Sequence, residues 1–392
     1  PNKSWELTAT RYRDHKISLG NLYGWSPLFG APFTEDDLFN EKFTLMVRET
    51  KKVVPEMKIT AYTGWGINKG LSFWDSFGME MTRKPWEASG WDTMLHCANS
   101  SFNDYFSYGV DYMLRYYGLD GVYLDSTGNV PLCNRTGHGC GYFDDEGILH
   151  GTYPIRATRE LFKRIYKITH CGDDENGIIY LHTSGVPLPI ISFTDLLLVA
   201  EPGVILWGKL KDIGLNEYRA EYLSDPFGVP TNICWHTFSP HLKLSPNHME
   251  GFALVHGQTI RMEPKGMLHY ANGYTNPGYE ENKYPLRHIF NLMSEFTGGQ
   301  EADFYPYWQN QEYLDTQNTD VLGSFYVNSK GEVLLVFCNL SETSQQINVI
   351  FQNFNDQLSQ VRDPFLDSDI LIQNGMFTLD LSSQGYRLLW IK

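Results

Sequence analysis

Two textures in the sequence predict an α/β fold, a (β/α)8 (TIM) barrel followed by a small antiparallel β-sandwich. From about residue 55 to about 300, short apolar runs alternate with longer amphipathic ones, the rhythm of a parallel sheet wrapped by helices. From about residue 303 the rhythm changes to short alternating runs separated by turn residues. A chain of 392 residues has room for both, and the expected division is a barrel over 1–302 and a sandwich over 303–392.

In the first region the strand candidates are Lys58–Tyr62, Gly121–Asp125, Ile178–Leu181, Leu196–Glu201, Thr231–Trp235 and Phe252–His256. Helical periodicity marks Asp36–Val53, Phe102–Tyr117, Ile155–Thr169 and Pro285–Phe296. In Ile155–Thr169, apolar Ile155, Leu161, Phe162, Ile165, Tyr166 and Ile168 fall largely on one face, with Arg159, Glu160, Lys163 and Lys167 opposite, and Pro154 suits the helix start. A weaker strand lies near Lys16–Leu22. If Gly121–Asp125 is the fourth strand of eight, one predecessor is missing, so the first βα unit is expected to be absent or distorted. The chain opens Pro1-Asn2-Lys3 without an initiator Met, and reads as a mature chain or fragment whose native start lies upstream. The sandwich strands are Ser324–Val327, Val333–Asn339, Gln346–Phe351, Asp369–Ile372, Met376–Leu381 and Tyr386–Ile391, divided by Asn-Ser-Lys-Gly, Asn-Leu-Ser and Gln-Asn-Gly turns.

Composition narrows the partners. Net charge is −15, from 31 basic and 46 acidic residues, which argues against nucleic acid and anionic membrane surfaces. No run approaches the ~20 apolar residues of a membrane span. Aromatic residues make up 15%, which raises a carbohydrate partner as a hypothesis, since flat rings stack on sugar faces. The six cysteines are too scattered for a disulfide framework, although Cys133 and Cys140 share one glycine-rich loop and could be bridged.

The strongest chemical signal is Gly118-Leu119-Asp120-Gly121-Val122-Tyr123-Leu124-Asp125-Ser126. Alternation along the strand sends Val122 and Leu124 toward covering helices and Gly121, Tyr123 and Asp125 toward the barrel interior. Asp125 ends the strand at the carboxyl rim, where barrel enzymes keep catalytic groups, while Asp120 at the other end reads as a structural hydrogen-bonder. The second signal is Leu196–Glu201, five apolar residues and then a carboxylate before Pro202-Gly203. Such burial favours a raised pKa, which a general acid requires. Gly121–Asp125, Ile178–Leu181 and Leu196–Glu201 are successive, so the two carboxylates would lie two strands apart on one rim, within the ~5 to 10 Å that glycoside hydrolysis uses. Trp65, Tyr123, His182, Trp235, His236 and His256 fall on or beside other strand ends and are expected to line a sugar pocket with His138 of the following loop. In that loop, Cys133 and Cys140 flank His138, but the C-x6-C spacing matches no short-spaced zinc pattern, so neither metal nor cofactor is expected. A metal site of His182, His236 and His256 is a weaker reading.

The run Gly118–Asp125, a carboxylate at Glu201 and a C-terminal β-sandwich together resemble the retaining (β/α)8-barrel glycoside hydrolases of the clan that includes α-galactosidases and endo-α-N-acetylgalactosaminidases. His138-Gly-Cys-Gly-Tyr, the segment beginning Tyr153-Pro-Ile-Arg and Tyr218-Arg-Ala-Glu-Tyr are similar to a little-characterised bacterial family of glycosidase-like proteins. The resemblance implies a glycosidase acting on α-linkages with retention, Asp125 as nucleophile and Glu201 as acid/base. Its substrate would be an oligosaccharide, polysaccharide or glycoconjugate, met outside the cell or in the periplasm. The alternative is a carbohydrate-binding barrel that kept the fold without turnover.

Overall fold

The computed structural model describes residues 9–22 (except 11 and 15), 32–64, 72–83 (except 73), 96–127 (except 126), 130–171, 177–183, 189–199, 214–222, 226–233, 246–260, 286–352 and 360–392. The chain forms two compact units, 1–200 with 225–231, and 201–224 with 232–392.

In chain order the first unit contains β1 (Leu19–Leu22), α1 (Asp37–Val53), β2 (Lys58–Gly64), α2 (Phe102–Tyr117), β3 (Gly121–Asp125), β4 (Tyr142–Phe143), β5 (Leu149–His150), α3 (Ile155–His170), β6 (Ile178–Thr183) and β7 (Leu196–Val199). Strands β1, β2, β3, β6 and β7 pair in that order, all in parallel. Leu197 N–H donates to Pro230 O at 3.0 Å, bringing the chain that enters β8 (Thr231–Ile233) beside β7. The weak strand near Lys16–Leu22 is therefore real, and among the described residues two strands precede Gly121–Asp125 rather than three.

Local chemistry explains the element ends. Asp36 caps α1, its side chain accepting the Phe39 N–H at 3.0 Å. Gly118 ends α2 at φ +71°, a left-handed conformation that favours glycine. Two aspartates then start strands in the same way. Asp120 accepts the Ile59 N–H of β2 at 2.8 Å and pairs with Lys51 of α1 at 2.9 Å. Asp195 accepts the Ile179 N–H of β6 at 2.7 Å and contacts His170 of α3 at 3.1 Å. Each satisfies a strand N–H where the ladder begins and ties the strand to a helix. The structural reading of Asp120 holds.

The second unit contains α4 (Leu215–Glu221), α5 (Pro246–Val255), β9 (Thr259–Ile260), α6 (Leu286–Thr297) and nine further strands. The latter are β10 (Asp303–Tyr305), β11 (Leu314–Asp315), β12 (Val321–Val327), β13 (Val333–Asn339), β14 (Gln345–Phe351), β15 (Gln360–Asp363), β16 (Ser368–Leu371), β17 (Met376–Leu381) and β18 (Tyr386–Ile391). β8 runs parallel to β9 through Asn232 and Thr259. One antiparallel sheet has the order β10-β12-β13-β18-β15-β16 and the other β11-β14-β17. Phe325, Leu335, Phe337 and Leu389 of the first sheet share a core with Ile347, Val349, Phe377 and Leu379 of the second. β17 alternates exposed and buried along its length, as a half-covered strand should, whereas β13 is buried throughout.

Helix α5 explains that difference and corrects one expectation. Phe252–His256 is not a strand: Phe252–Val255 is the last turn of α5, and His256 follows it. The helix lies against the first sheet, with Ser324 Oγ donating to Val255 O at 2.6 Å and Tyr326 O–H donating to Leu254 O at 3.0 Å. A short, wholly buried apolar run looks alike as helix and as strand, because neither period shows when every side is covered.

Candidate active site

Parallel register aligns Tyr62, Tyr123 and Tyr180 in one row across β2, β3 and β6. Tyr62 and Tyr123 stack at 5.3 Å between ring centroids, and Tyr180 meets Tyr123 edge-on at 4.7 Å. Tyr123 is fully buried and packs as a floor between its neighbours. Below it, Gly121 lets β3 approach β6, since a Cβ there would fall 2.0 Å from Ile178 O. Val122 and Leu124 point to the opposite face and are buried, as the alternation requires.

Two residues beyond Tyr123, Asp125 ends β3 beside Gly64. The Tyr62 hydroxyl reaches forward from the previous row and donates to Asp125 Oδ2. His182 Nδ1 lies 2.8 Å from Asp125 Oδ1. Each oxygen of the carboxylate is thus engaged by a side chain from a neighbouring strand, which sets its direction. The Asp125 side chain keeps 22% of its surface exposed and that of His182 16%, so a ligand can reach both. Just past the strand, Thr127 N–H and Oγ1 both donate to His182 O, at 3.1 and 3.0 Å, anchoring the chain as it leaves Asp125.

Asp125, His182 and Tyr123 are therefore brought together, with Tyr62 as a partner that sequence reasoning passed over. Its signal was present: Tyr62 has the same parity on β2 as Tyr123 on β3. Glu201, Trp65, Trp235 and His236 lie outside the described residues. His138 sits in the loop between β3 and α3 with a side chain only 5% exposed, its Nε2 2.6 Å from Glu80 O and its Nδ1 3.5 Å from Cys133 Sγ. Arg135 of the same loop donates to Met79 O at 2.7 Å. His256 belongs to the second unit, where it is buried with Nδ1 2.7 Å from Phe252 O and Nε2 3.1 Å from Tyr307 Oη. Burial holds its pKa down to about 4, the Phe252 carbonyl opposing and the Arg219 charge adding to that effect. Cys133 and Cys140 are free thiols, buried together with Cys97.

No protein-family model matches the chain, and no curated protein matches its sequence. Its fold, however, is shared with solved glycoside hydrolases. A noncanonic maltogenic α-amylase from Thermotoga neapolitana aligns over 99% of this chain and 94% of its own, at a TM-score of 0.65 and 13% identity. An α-amylase from Geobacillus thermoleovorans, solved with acarbose, aligns over 99% and 92%, with a TM-score of 0.63 and 11% identity. A GH27 β-L-arabinopyranosidase from Geobacillus stearothermophilus aligns over 99% and 92%, at 0.56 and 10%. At such identities the likeness concerns the fold alone. Among the described residues no helix is long and apolar enough to cross a membrane.

Proposed function

We propose that the chain is a glycoside hydrolase acting on α-linked sugars with retention of configuration, on a (β/α)8 barrel over 1–302 with a β-sandwich over 303–392. One observation carries the reading: Asp125 stands at the carboxyl end of a parallel strand, partly exposed, with both oxygens engaged from β2 and β6. The fold it shares with carbohydrate-cleaving enzymes supports the substrate class. In this reading one Asp125 oxygen attacks the anomeric carbon and the bond to the leaving oxygen breaks as Glu201 protonates it. A water, giving its proton to Glu201, then displaces Asp125 and releases the sugar. Tyr62 and His182 keep the carboxylate aimed in both steps. Trp65, Trp235 and His236 are proposed to contact the sugar.

The test is hydrolysis of a panel of aryl α-glycosides by the native chain and by Asp125→Ala. The variant should lose turnover, and added azide should restore it and yield a glycosyl azide of inverted configuration. Near-native activity in Asp125→Ala overturns the assignment. Oligosaccharide binding without turnover by the native chain would mark a binding protein instead.

A further inference from the structure

Outside the Asp125 site, the loop between β3 and α3 holds a cluster with no part in the chemistry above. Cys97, from the segment before α2, meets Cys133 and Cys140 of the loop, and the three Sγ atoms all lie within 4.8 Å of one another. All three residues are buried, at 1%, 0% and 1% exposure. Cys97 Sγ and Cys140 Sγ are 3.8 Å apart, and His138 Nδ1 is 3.5 Å from Cys133 Sγ. We propose that Cys97, Cys133, Cys140 and His138 form a structural zinc site.

Three features support it. Ligands around a tetrahedral Zn²⁺, with Zn–S near 2.3 Å and Zn–N near 2.0 Å, stand about 3.8 Å apart for two sulfurs and about 3.5 Å for sulfur and nitrogen. The 3.8 Å between Cys97 and Cys140 and the 3.5 Å between Cys133 and His138 match. Second, the hydrogen bonds suit thiolates and a neutral imidazole. Asn99 Nδ2 lies 3.6 Å from Cys140 Sγ and can donate to it. The Nε2–H of His138 donates to Glu80 O at 2.6 Å, which leaves the Nδ1 lone pair free to face Cys133 Sγ at 3.5 Å, the orientation a carbonyl partner imposes on a metal-bound histidine. Third, the surroundings are built to hold the ligands in place. Cys133 bridges in antiparallel fashion to Thr152, Thr82 to His96, and Cys97 N–H donates to Met81 O at 2.9 Å.

On binding, Zn²⁺ takes three thiolates and the imidazole, and three thiol protons pass to solvent. The site is closed, with four protein ligands and no open position, so its role is structural. It fastens the loop that follows Asp125 to Cys97 and to the chain at Glu80. The C-x6-C spacing hid the site because its third sulfur comes from far upstream.

Metal analysis of the full chain, purified without chelators, should find one zinc per chain. Replacement by Co²⁺ should give the visible d–d absorption and thiolate charge-transfer bands of tetrahedral cobalt. A Cys97→Ser/Cys140→Ser double variant should lose the metal, while Cys171→Ser, which removes an exposed thiol, should keep it. His138→Gln should alter the cobalt spectrum, and an unchanged spectrum would remove His138 from the ligand set. If the double variant does not fold, the native chain's metal content and cobalt spectrum decide alone. Reduced native chain that carries no zinc and takes up no cobalt overturns the proposal, as does a disulfide within the trio or a double variant that keeps its zinc. These readouts need no substrate, so the site stands or falls independently of the glycosidase reading.

Discussion

Lowering the pH should unfold this protein through its buried histidines, and His256 shows by how much. Its folded pKa of about 4 lies below the ordinary 6.5 because burial disfavours the cation. Between those values the unfolded chain binds a proton that the folded chain refuses. The contribution is therefore present above pH 6.5 and is lost as pH falls toward 4. A shift of this size corresponds to a limit of about 3 kcal/mol, of which about 2 kcal/mol is already lost at pH 5. Against a total stability of roughly 5–15 kcal/mol, that is a large fraction. The assay is urea unfolding followed by tryptophan fluorescence at pH 7, 6 and 5, on the native chain and on His256→Gln. The variant will be less stable throughout, having lost its contacts to Phe252 O and Tyr307, but its curve should be flatter by about 2 kcal/mol over this range. Other acid-sensitive groups, including His96, whose pKa burial lowers to about 3, contribute equally to both proteins and cancel in the difference. Parallel curves for the two proteins would refute the reasoning.

Three further outcomes follow from the geometry. Tyr62→Phe and His182→Ala each remove a hydrogen bond to the Asp125 carboxylate, so under the proposed function each should lower kcat/KM on an aryl α-glycoside by about 10- to 150-fold, the equivalent of ~1.5–3 kcal/mol; unchanged kinetics would mean that neither positions the proposed nucleophile. Gly121→Ala forces a methyl against Ile178 O and should cost about 1–3 kcal/mol in urea unfolding, with no measurable shift expected only if β3 and β6 can separate freely. In the second unit, buried Asp363 accepts from Arg387 Nε at 2.6 Å and from the Phe365 and Leu366 N–H groups at 2.9 and 2.8 Å. Asp363→Ala strands that guanidinium and should cost about 3–5 kcal/mol, readable as a large drop in melting temperature.

Legibility in the sequence followed the period of each element. β3, β13, β17, β18 and α2 run between the residues expected, because an apolar run, alternation or a one-sided apolar stripe marks them and a Gly, Asn or Asp stands at one end of each. β10, β11 and β15 went unread. The first two have only 3 and 2 residues, too few to display a period, and Gln360–Asp363 buries two residues behind two charged or polar ones. The site was legible as far as one strand carries information. Asp125 follows from parity and position, but its bonds to Tyr62 and His182 depend on the register of β2 and β6 against β3, which no single segment encodes. Cys97 was invisible for the same reason, since it lies 36 positions before Cys133.

The two carboxylates of β3 show how position decides role. Asp120 and Asp125 are an odd number of residues apart, so they face opposite sides of the sheet. On the helix side, Asp120 meets the Lys51 ammonium at 2.9 Å and a strand N–H, and its side chain is 10% exposed. An ammonium at that distance neutralises the charge, and the backbone bond makes the arrangement permanent, so Asp120 holds β3 in place and has nothing left to offer a substrate. On the other side, Asp125 has a phenol and an imidazole as described partners and keeps twice the exposure. Those groups orient the carboxylate, as the nucleophile of the proposed reaction requires. The same residue type thus serves as a fastening at one end of a five-residue strand and, in the proposed function, as the reactive group at the other.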